Sequence, residues 1–139
     1  MAKTAKGKKR GAIVTGAGSG IGRATAELLL EKGWSVAFLD VSDKALAEAK
    51  AKNGKTEGAL FLATDVTDEA AVEAAVKKAV EAFDGVFGVV NCAGIAADKH
   101  VLDTPVDLFR KILDVNVVGT FLVGRAAARH MIDRGGGAI

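Results

Sequence analysis

The stretch Thr15-Gly16-Ala17-Gly18-Ser19-Gly20-Ile21-Gly22 decides the fold of this chain of 139 residues. A short apolar run precedes it (residues 12–14), and a helical pattern follows it (residues 23–30). Glycines permit the tight turn that joins such a strand to such a helix, and they let a ligand approach the backbone closely. The helix N-terminus offers free N–H groups and a partial positive charge. The stretch therefore predicts a dinucleotide site whose pyrophosphate lies on the turn.

Other glycine-rich motifs fit this stretch less well. A P-loop ends in Gly-Lys-Ser/Thr, whereas this chain has Gly22-Arg23-Ala24. The spacing of Gly16, Gly18 and Gly20 also fits the turn of methyltransferases that bind S-adenosylmethionine, but those usually have an acidic residue where this chain has Thr15. The glycines alone leave three interpretations open: an NAD-type site, a methyltransferase-like site and a purely structural turn.

The composition indicates one globular domain, which we place at residues 11–139. Half of the residues are hydrophobic, 17 are glycine and one is proline. No apolar run approaches the roughly 20 residues of a membrane span, and we expect no signal peptide. Cys92 is the only cysteine, which favours a reducing, cytoplasmic location. One cysteine and two scattered histidines make no recognisable zinc site, so no metal is expected.

The first ten residues are strongly basic. They contain Lys3, Lys6, Lys8, Lys9 and Arg10, and without these five the chain has 14 basic residues (19 minus 5) against 17 acidic residues. The segment has no interleaved aromatic residues and no fold to orient it. We therefore predict that residues 1–10 are a disordered leader, and nucleic-acid binding is not expected.

Strand and helix patterns alternate along the rest of the chain. Strands are predicted at residues 11–15, 34–40, 59–63 and 86–90. Helices are predicted from Gly20 to about Lys32, from a Ser42 cap to Asn53-Gly54, and from a Thr67 cap to Asp84-Gly85. A Thr104 cap with Pro105 predicts a long helix to about Arg134, and Ala138-Ile139 resembles the start of another strand. The alternation predicts an α/β fold with a Rossmann-like, doubly wound parallel sheet of strand order 3-2-1-4, truncated before the fifth strand.

In this topology the carboxyl ends of the strands line one crevice. Asp40 ends the second strand, where a carboxylate can accept hydrogen bonds from both ribose hydroxyls of an adenosine. It would repel a 2′-phosphate, and Arg23 is the only cation beside the turn, so we expect NAD to be preferred over NADP. The alternative is that Asp40 has only a structural role, as a strand-end acid that caps Ser42-Asp43. Thr64-Asp65-Val66 ends the third strand, and Asn91-Cys92-Ala93-Gly94 ends the fourth.

Together these segments resemble the classical short-chain dehydrogenases/reductases over about residues 10–139. The resemblance implies that Asp40 holds the ribose, that the Asp65 carboxylate and the Val66 N–H meet the adenine, and that Asn91, Ala93 and Gly94 steady the central strands beside the cofactor. It implies that the pyrophosphate is held by Gly16, Ser19, Gly20, Ile21 and Gly22. The family more often has asparagine where this chain has Cys92. A methyltransferase explains neither residues 91–94 nor Asn116.

Asn116 is predicted to lie within the long helix, where asparagine is a poor interior residue. The resemblance implies that Asn116 belongs to the catalytic set and marks a local distortion that positions a water for proton relay; a solvent-facing asparagine is the alternative. The family also uses a serine and a Tyr-x-x-x-Lys pair, but this chain has no tyrosine. In the family most nicotinamide contacts come after the position of Ile139.

We therefore predict the NAD-binding portion of an oxidoreductase of this type, with hydride transfer between NAD(H) and an alcohol or carbonyl substrate, inactive as this chain alone. The main alternative is a nucleotide-binding module that catalyses no reaction. A methyltransferase-like domain is a lesser alternative. In the family the segment 107–134 packs against partner subunits, and the outer edge of strand 86–90 is predicted to be unpaired here. We expect a homo-oligomer or a self-associating chain that does not bind membranes.

Overall fold

The computed structural model describes residues 10–139, so residues 1–9 of the predicted leader lie outside the described residues. The first half contains β1 (Gly11–Thr15), α1 (Gly20–Glu31), β2 (Ser35–Asp40), α2 (Asp43–Asn53) and β3 (Ala59–Ala63). The second half contains α3 (Glu69–Phe83), β4 (Gly88–Asn91), a short 3₁₀ turn (Val101–Asp103), α4 (Val106–Leu113), a π-helical segment (Asp114–Gly119) and α5 (Thr120–Ile132).

The strands form one parallel sheet in the order β3-β2-β1-β4, as predicted. Thr15 at the end of β1 pairs with Leu39 of β2 and with Asn91 of β4. Asp40 in turn pairs with Ala63 at the end of β3. Because the register aligns the strand ends, the segments that follow all four strands emerge along one edge of the sheet.

Helices cover both faces of the sheet, so β1 and β2 are buried almost throughout. Val36 and Phe38 face the layer of α1 and α2, and Phe38 stacks on Phe61 of β3 with ring centroids 4.8 Å apart. Ala37 and Leu39 point the other way, towards α3 and α5. The side chains of each strand therefore alternate between two cores, which is the doubly wound arrangement predicted.

Two predicted helix caps are wrong. The N-cap of α3 is Asp68, whose carboxylate accepts a hydrogen bond from the Ala71 N–H at 3.1 Å, because the Thr67 hydroxyl donates instead to Asp65. Thr104 does not cap α4 either; its hydroxyl donates to the His100 carbonyl at 2.9 Å, and Pro105 takes the N-cap position without a side-chain hydrogen bond.

The predicted long helix after Pro105 is interrupted. Between α4 and α5 the six residues Asp114–Gly119 are π-helical, and Asn116 lies among them. The resemblance implied a local distortion at this residue, and the structure has one. Within residues 10–139 no helix is both long and apolar enough to cross a membrane.

The chain returns to the sheet at Ala138. Its N–H donates to the Phe87 carbonyl at 2.9 Å, and its carbonyl accepts from the Val89 N–H at 2.9 Å, which makes a parallel bridge to Gly88. The predicted start of another strand is thus confirmed at Ala138. The prediction of an unpaired outer edge at residues 86–90 is wrong at Phe87 and Val89, because the turn at residues 135–137 brings the chain back beside them.

Candidate functional site

A cleft of about 390 Å³ lies where the strands end, within the size range of small-molecule sites. Every predicted site residue lines it except Asn91 and Asn116. The sequence reasoning gave no role to the remaining lining residues, which are Leu39, Val41, Thr64, Cys92, Ile95 and Val115. Each of them is next to a predicted site residue along the chain, and for all but Val115 that residue lies at or just after a strand end, so the position of the strand ends could have identified them.

Close backbone approach explains two of the glycines in the turn. Gly16 has a positive φ of 61°, and a Cβ on it would lie 2.9 Å from the Ala93 nitrogen. A Cβ on Gly22 would lie 2.2 Å from the Gly16 carbonyl oxygen. Any side chain at either position would push the turn away from β4 or from α1. Glycine at these positions therefore brings β1, β4 and the start of α1 together at the cleft.

The start of α1 presents unpaired donors to the cleft. The first hydrogen bond of the helix runs from the Arg23 N–H to the Ser19 carbonyl at 3.1 Å. The N–H groups of Gly20, Ile21 and Gly22 precede it, and the described residues supply no acceptor for them. All three residues line the cleft. These donors and the helix dipole suit an anionic group such as a pyrophosphate.

The Asp40 carboxylate is fixed beside the turn. Oδ2 accepts a hydrogen bond from the Gly18 N–H at 2.9 Å, and Oδ1 accepts one from the Ser42 N–H at 2.9 Å. The bond to Ser42 is the capping role that the sequence left open. An ionised carboxylate has about four acceptor sites, so both oxygens retain capacity for the hydroxyls of a ribose.

Arg23 is held away from this carboxylate. Its Nε donates to Glu27 Oε1 at 3.2 Å, a second nitrogen donates to the Glu48 carbonyl at 3.4 Å, and the residue does not line the cleft. Hydrogen bonds from Lys52, Asn53 and Arg23 outweigh burial and lower the pKa of Glu27 to about 2. Among the described residues, no lysine or arginine lines the cleft.

Asp65 and Val66 present an acceptor and a donor side by side. Asp65 Oδ1 accepts from the Thr67 hydroxyl at 2.7 Å and from the Thr67 N–H at 2.9 Å, and these bonds lower the pKa of Asp65, with a smaller contribution from the positive charge of Lys111. Within residues 10–139, Asp65 Oδ2 and the Val66 N–H make no hydrogen bond. Both residues line the cleft.

Two side-chain contacts hold the segment after β4 in place. The buried Thr15 hydroxyl oxygen accepts hydrogen bonds from the N–H groups of Cys92 and Ala93 at 3.1 and 3.0 Å. Asn116 Oδ1 accepts from the Ile95 N–H at 2.8 Å, and its Nδ2 donates to the Ile95 carbonyl at 3.0 Å. Asn116 is exposed but not free in solvent. It holds a lining residue from outside the cleft.

Asn91 occupies the end of β4 without lining the cleft. Its Oδ1 is buried and has no hydrogen-bond partner among the described residues. No cluster of three or more histidine, cysteine, aspartate or glutamate side chains suited to a metal ion occurs in residues 10–139.

Comparison with known proteins finds both similar sequences and similar structures. The sequence profile described as short chain dehydrogenase matches residues 10–139. The cis-4-hydroxycyclohexanecarboxylate dehydrogenase of Sinomonas cyclohexanicum is 42% identical over 134 residues, which are 94% of this chain and 53% of that protein. The chain spans about half the length of the curated relatives that it matches.

Solved structures agree with the sequence matches. An NAD⁺-bound xylitol dehydrogenase is 39% identical with a TM-score of 0.87, covering 92% of this chain and 50% of that one. The 3-ketoacyl-(acyl-carrier-protein) reductase of Brucella melitensis, in complex with NADH, is 31% identical with a TM-score of 0.86, covering 91% of this chain and 51% of that one. These matches support neither the methyltransferase-like alternative nor a module without chemistry.

Proposed function

The chain belongs to the short-chain dehydrogenase family, and on that premise we propose that its cleft binds NAD(H) within an oxidoreductase acting on an alcohol or carbonyl substrate. The matched dehydrogenase and the two structures with bound NADH or NAD⁺ support this proposal. When bound, the nicotinamide cofactor supplies the hydride acceptor or donor. A cytoplasmic location, where Cys92 stays reduced, is part of the same proposal.

The residues of the cleft fit the adenosine half of such a cofactor. The free N–H groups of Gly20, Ile21 and Gly22 suit the pyrophosphate. The Asp40 carboxylate has acceptor capacity for the ribose hydroxyls. The unpaired acceptor and donor at Asp65 and Val66 suit the amino group and ring nitrogen of an adenine. This chain's own contribution is to bind and orient the cofactor.

We further propose that NAD is preferred over NADP. A 2′-phosphate would lie against the Asp40 carboxylate, and two unit charges about 4 Å apart interact by about 4 kcal/mol at an effective dielectric near 20, less with solvent screening. Arg23 does not offset this repulsion, because Glu27 and the Glu48 carbonyl hold its guanidinium outside the cleft. The fixed Asp40 carboxylate is the observation on which the preference rests.

Titration calorimetry with NAD and NADP tests this preference. Asp40→Ala should weaken NAD binding and strengthen NADP binding. The ratio of the two dissociation constants (NADP over NAD) should therefore fall by about tenfold. Asp43→Ala is the matched control, since Asp43 is an exposed acid in the first turn of α2 that does not line the cleft. Equal affinity of the unmodified chain for NAD and NADP would overturn the assignment of Asp40 to the ribose.

We assign the proton relay to the surroundings of Asn116. Both polar atoms of the Asn116 side-chain amide are hydrogen-bonded to the backbone of Ile95. The backbone carbonyl of Asn116 accepts a hydrogen bond from the Thr120 hydroxyl at 2.9 Å. In a π-helical segment the backbone carbonyls depart from the regular helical hydrogen bonding, and this gives a place for the water that the resemblance implies. Asn116→Ala, made in a form of this protein that turns over substrate, should lower kcat; an unchanged kcat would remove Asn116 from the catalytic set.

A further inference from the structure

We propose that Thr67 is a positioning residue that orients the Asp65 carboxylate towards the 6-amino group of an adenine, so that the cleft selects adenine over hypoxanthine. The inference rests on the proposed function, because it assumes that the adenosine half of the cofactor reaches Asp65. It assigns a specificity role to a residue that lies outside the lining of the cleft.

The hydrogen bonds of Thr67 all converge on one oxygen of Asp65. The Thr67 hydroxyl donates to Oδ1 at 2.7 Å, and the Thr67 N–H donates to the same atom at 2.9 Å. These two donors occupy the two lone pairs of Oδ1. Oδ2 makes no hydrogen bond within residues 10–139 and is therefore the oxygen left for a ligand.

The Thr67 hydroxyl has no competing structural role in the described part of the chain. The cap of α3 is Asp68, which bonds the Ala71 N–H, so Thr67 is not needed to start the helix. Thr67 itself is exposed and buries no apolar surface of note. Its hydroxyl and its N–H both contact Asp65, the carboxylate proposed to meet the adenine.

The neighbouring Val66 completes a complementary edge. The Val66 N–H is a donor without a partner in residues 10–139, and the residue lines the cleft beside Asp65. Adenine presents a donor (the 6-amino group) next to an acceptor (N1), which matches an acceptor at Asp65 and a donor at Val66. Hypoxanthine presents the reverse order, an acceptor at O6 and a donor at N1, so it would face two mismatched contacts.

Selectivity of this kind requires a carboxylate that is fixed and ionised. The terminal torsion of an aspartate is broad, and Asp65 is exposed, so the side chain would otherwise rotate and adapt to either base. The bonds from the Thr67 hydroxyl and N–H to Oδ1 restrict that rotation, and the hydroxyl bond, at 2.7 Å, is the shorter of the two. An aspartate is already ionised at neutral pH, and the bonds from Thr67, which lower the pKa of Asp65, extend the acceptor form to more acidic pH.

The test compares ADP with IDP, which differ only in the base edge, by titration calorimetry on the whole chain. The unmodified chain should bind ADP at least about tenfold more tightly, because a hydrogen bond to a charged group is lost with IDP. Thr67→Val keeps the shape and the N–H but removes the hydroxyl, and it should reduce the preference to about threefold or less. Thr67→Ser should retain the preference.

Thr104→Val is the matched control, since it removes a hydroxyl that bonds only the His100 carbonyl in a loop away from the cleft. It should leave the ratio of ADP to IDP affinities unchanged. A Thr67→Val chain with the unmodified ratio would overturn the inference and leave the proposed function standing. Equal binding of ADP and IDP by the unmodified chain would also overturn the inference, whereas binding of neither nucleotide would overturn the proposed function on which it rests. If Thr67→Val does not fold, Thr67→Ala takes its place, and it should reduce the ratio of ADP to IDP affinities in the same way.

Discussion

The Gly18 N–H donates a hydrogen bond to Asp40 Oδ2 at 2.9 Å, which joins the glycine turn to the end of β2. The turn that leads into the start of α1, where we propose that the pyrophosphate binds, therefore also sets the position of the carboxylate proposed to hold the ribose. A Cβ on Gly18 would lie 2.6 Å from the Ala45 Cβ and 2.9 Å from Asp40 Oδ2. The turn, Asp40 and α2 are packed as one unit.

We predict that Gly18→Ala weakens NAD binding by about tenfold or more, because the methyl group would displace α2 or break the bond to Asp40, and hydrogen bonds to charged groups contribute about 1.5–3 kcal/mol. Titration calorimetry with NAD measures the effect. Gly124→Ala is the control, since a Cβ there meets only ordinary contacts with Ile139 at 3.8 Å. A Gly18→Ala chain that binds NAD normally would show that the link does not matter.

The sequence was sufficient for three of the four strands and for most of the cleft. Apolar runs and glycine turns predicted β1, β2 and β3 closely. Strand-end reasoning identified Asp40, Asp65 and the segment 91–94 as neighbours, and of these only Asn91 does not line the cleft. This worked because parallel strands in register must end at one edge. Leu39 and Thr64 line the cleft because they precede these residues, and no chemical signal distinguishes them in the sequence.

Local hydrogen-bond competition could not be predicted. Thr67 and Asp68 can both cap a helix. Because the Thr67 hydroxyl donates to the Asp65 carboxylate in the preceding turn, Asp68 caps α3. The start of β4 was predicted two residues early at Val86, because the apolar run begins before the pairing with β1 does. The interruption at residues 114–119 was implied by resemblance and not by any periodicity.

Glu27 should contribute to stability only above acidic pH. Its pKa is lowered to about 2, so the ionised form stabilises the fold above its ordinary pKa near 4.5 and this contribution is lost as the pH falls towards 2. The shift corresponds to at most about 3 kcal/mol, and screening at the exposed Lys52 ammonium reduces this to about 1–2 kcal/mol.

Urea unfolding between pH 7 and pH 2 measures this effect. Glu27→Gln should lower the free energy of unfolding at pH 7 and show a smaller loss than the unmodified chain as the pH is lowered. Glu31→Gln, one turn further along α1 and exposed, is the control and should behave like the unmodified chain. The account would be contradicted if the free energy of unfolding had the same dependence on pH in the Glu27→Gln chain as in the unmodified chain.

We propose that the chain self-associates through an apolar face on α4, the π-helical segment and the start of α5. No residue of α4 is buried within the described part of the chain. The exposed large apolar side chains of this face are Val106, Phe109, Leu113, Val117 and Phe121. Contiguous apolar surface of this kind favours association.

Sedimentation velocity at micromolar concentration tests the association. Phe109→Ser should shift the chain towards monomer, because it removes an apolar side chain from the middle of the face. Leu28→Ser, which removes an exposed leucine from α1 on the opposite side of the sheet, should leave the association unchanged. A monomeric unmodified chain would rule out this face as an interface.

We predict that the 139-residue chain alone does not form NADH from alcohols. It contains no tyrosine, and the resemblance implies a tyrosine as general acid/base, a role that contributes about 10²–10⁴ in rate. Absorbance at the NADH band with a panel of alcohols and hydroxysteroids is the assay. Robust turnover would mean that other residues of this chain carry the chemistry.

The most direct measurement compares NAD with ADP-ribose by titration calorimetry on the unmodified chain. The proposed contacts, at residues 16–22, Asp40, Asp65 and Val66, all concern the pyrophosphate, the ribose or the adenine, which the two ligands share. We predict dissociation constants within about threefold of each other, a difference of about 0.7 kcal/mol. NAD binding more than about tenfold tighter than ADP-ribose, or no binding of ADP-ribose at all, would contradict the claim that this cleft recognises the adenosine half of the cofactor.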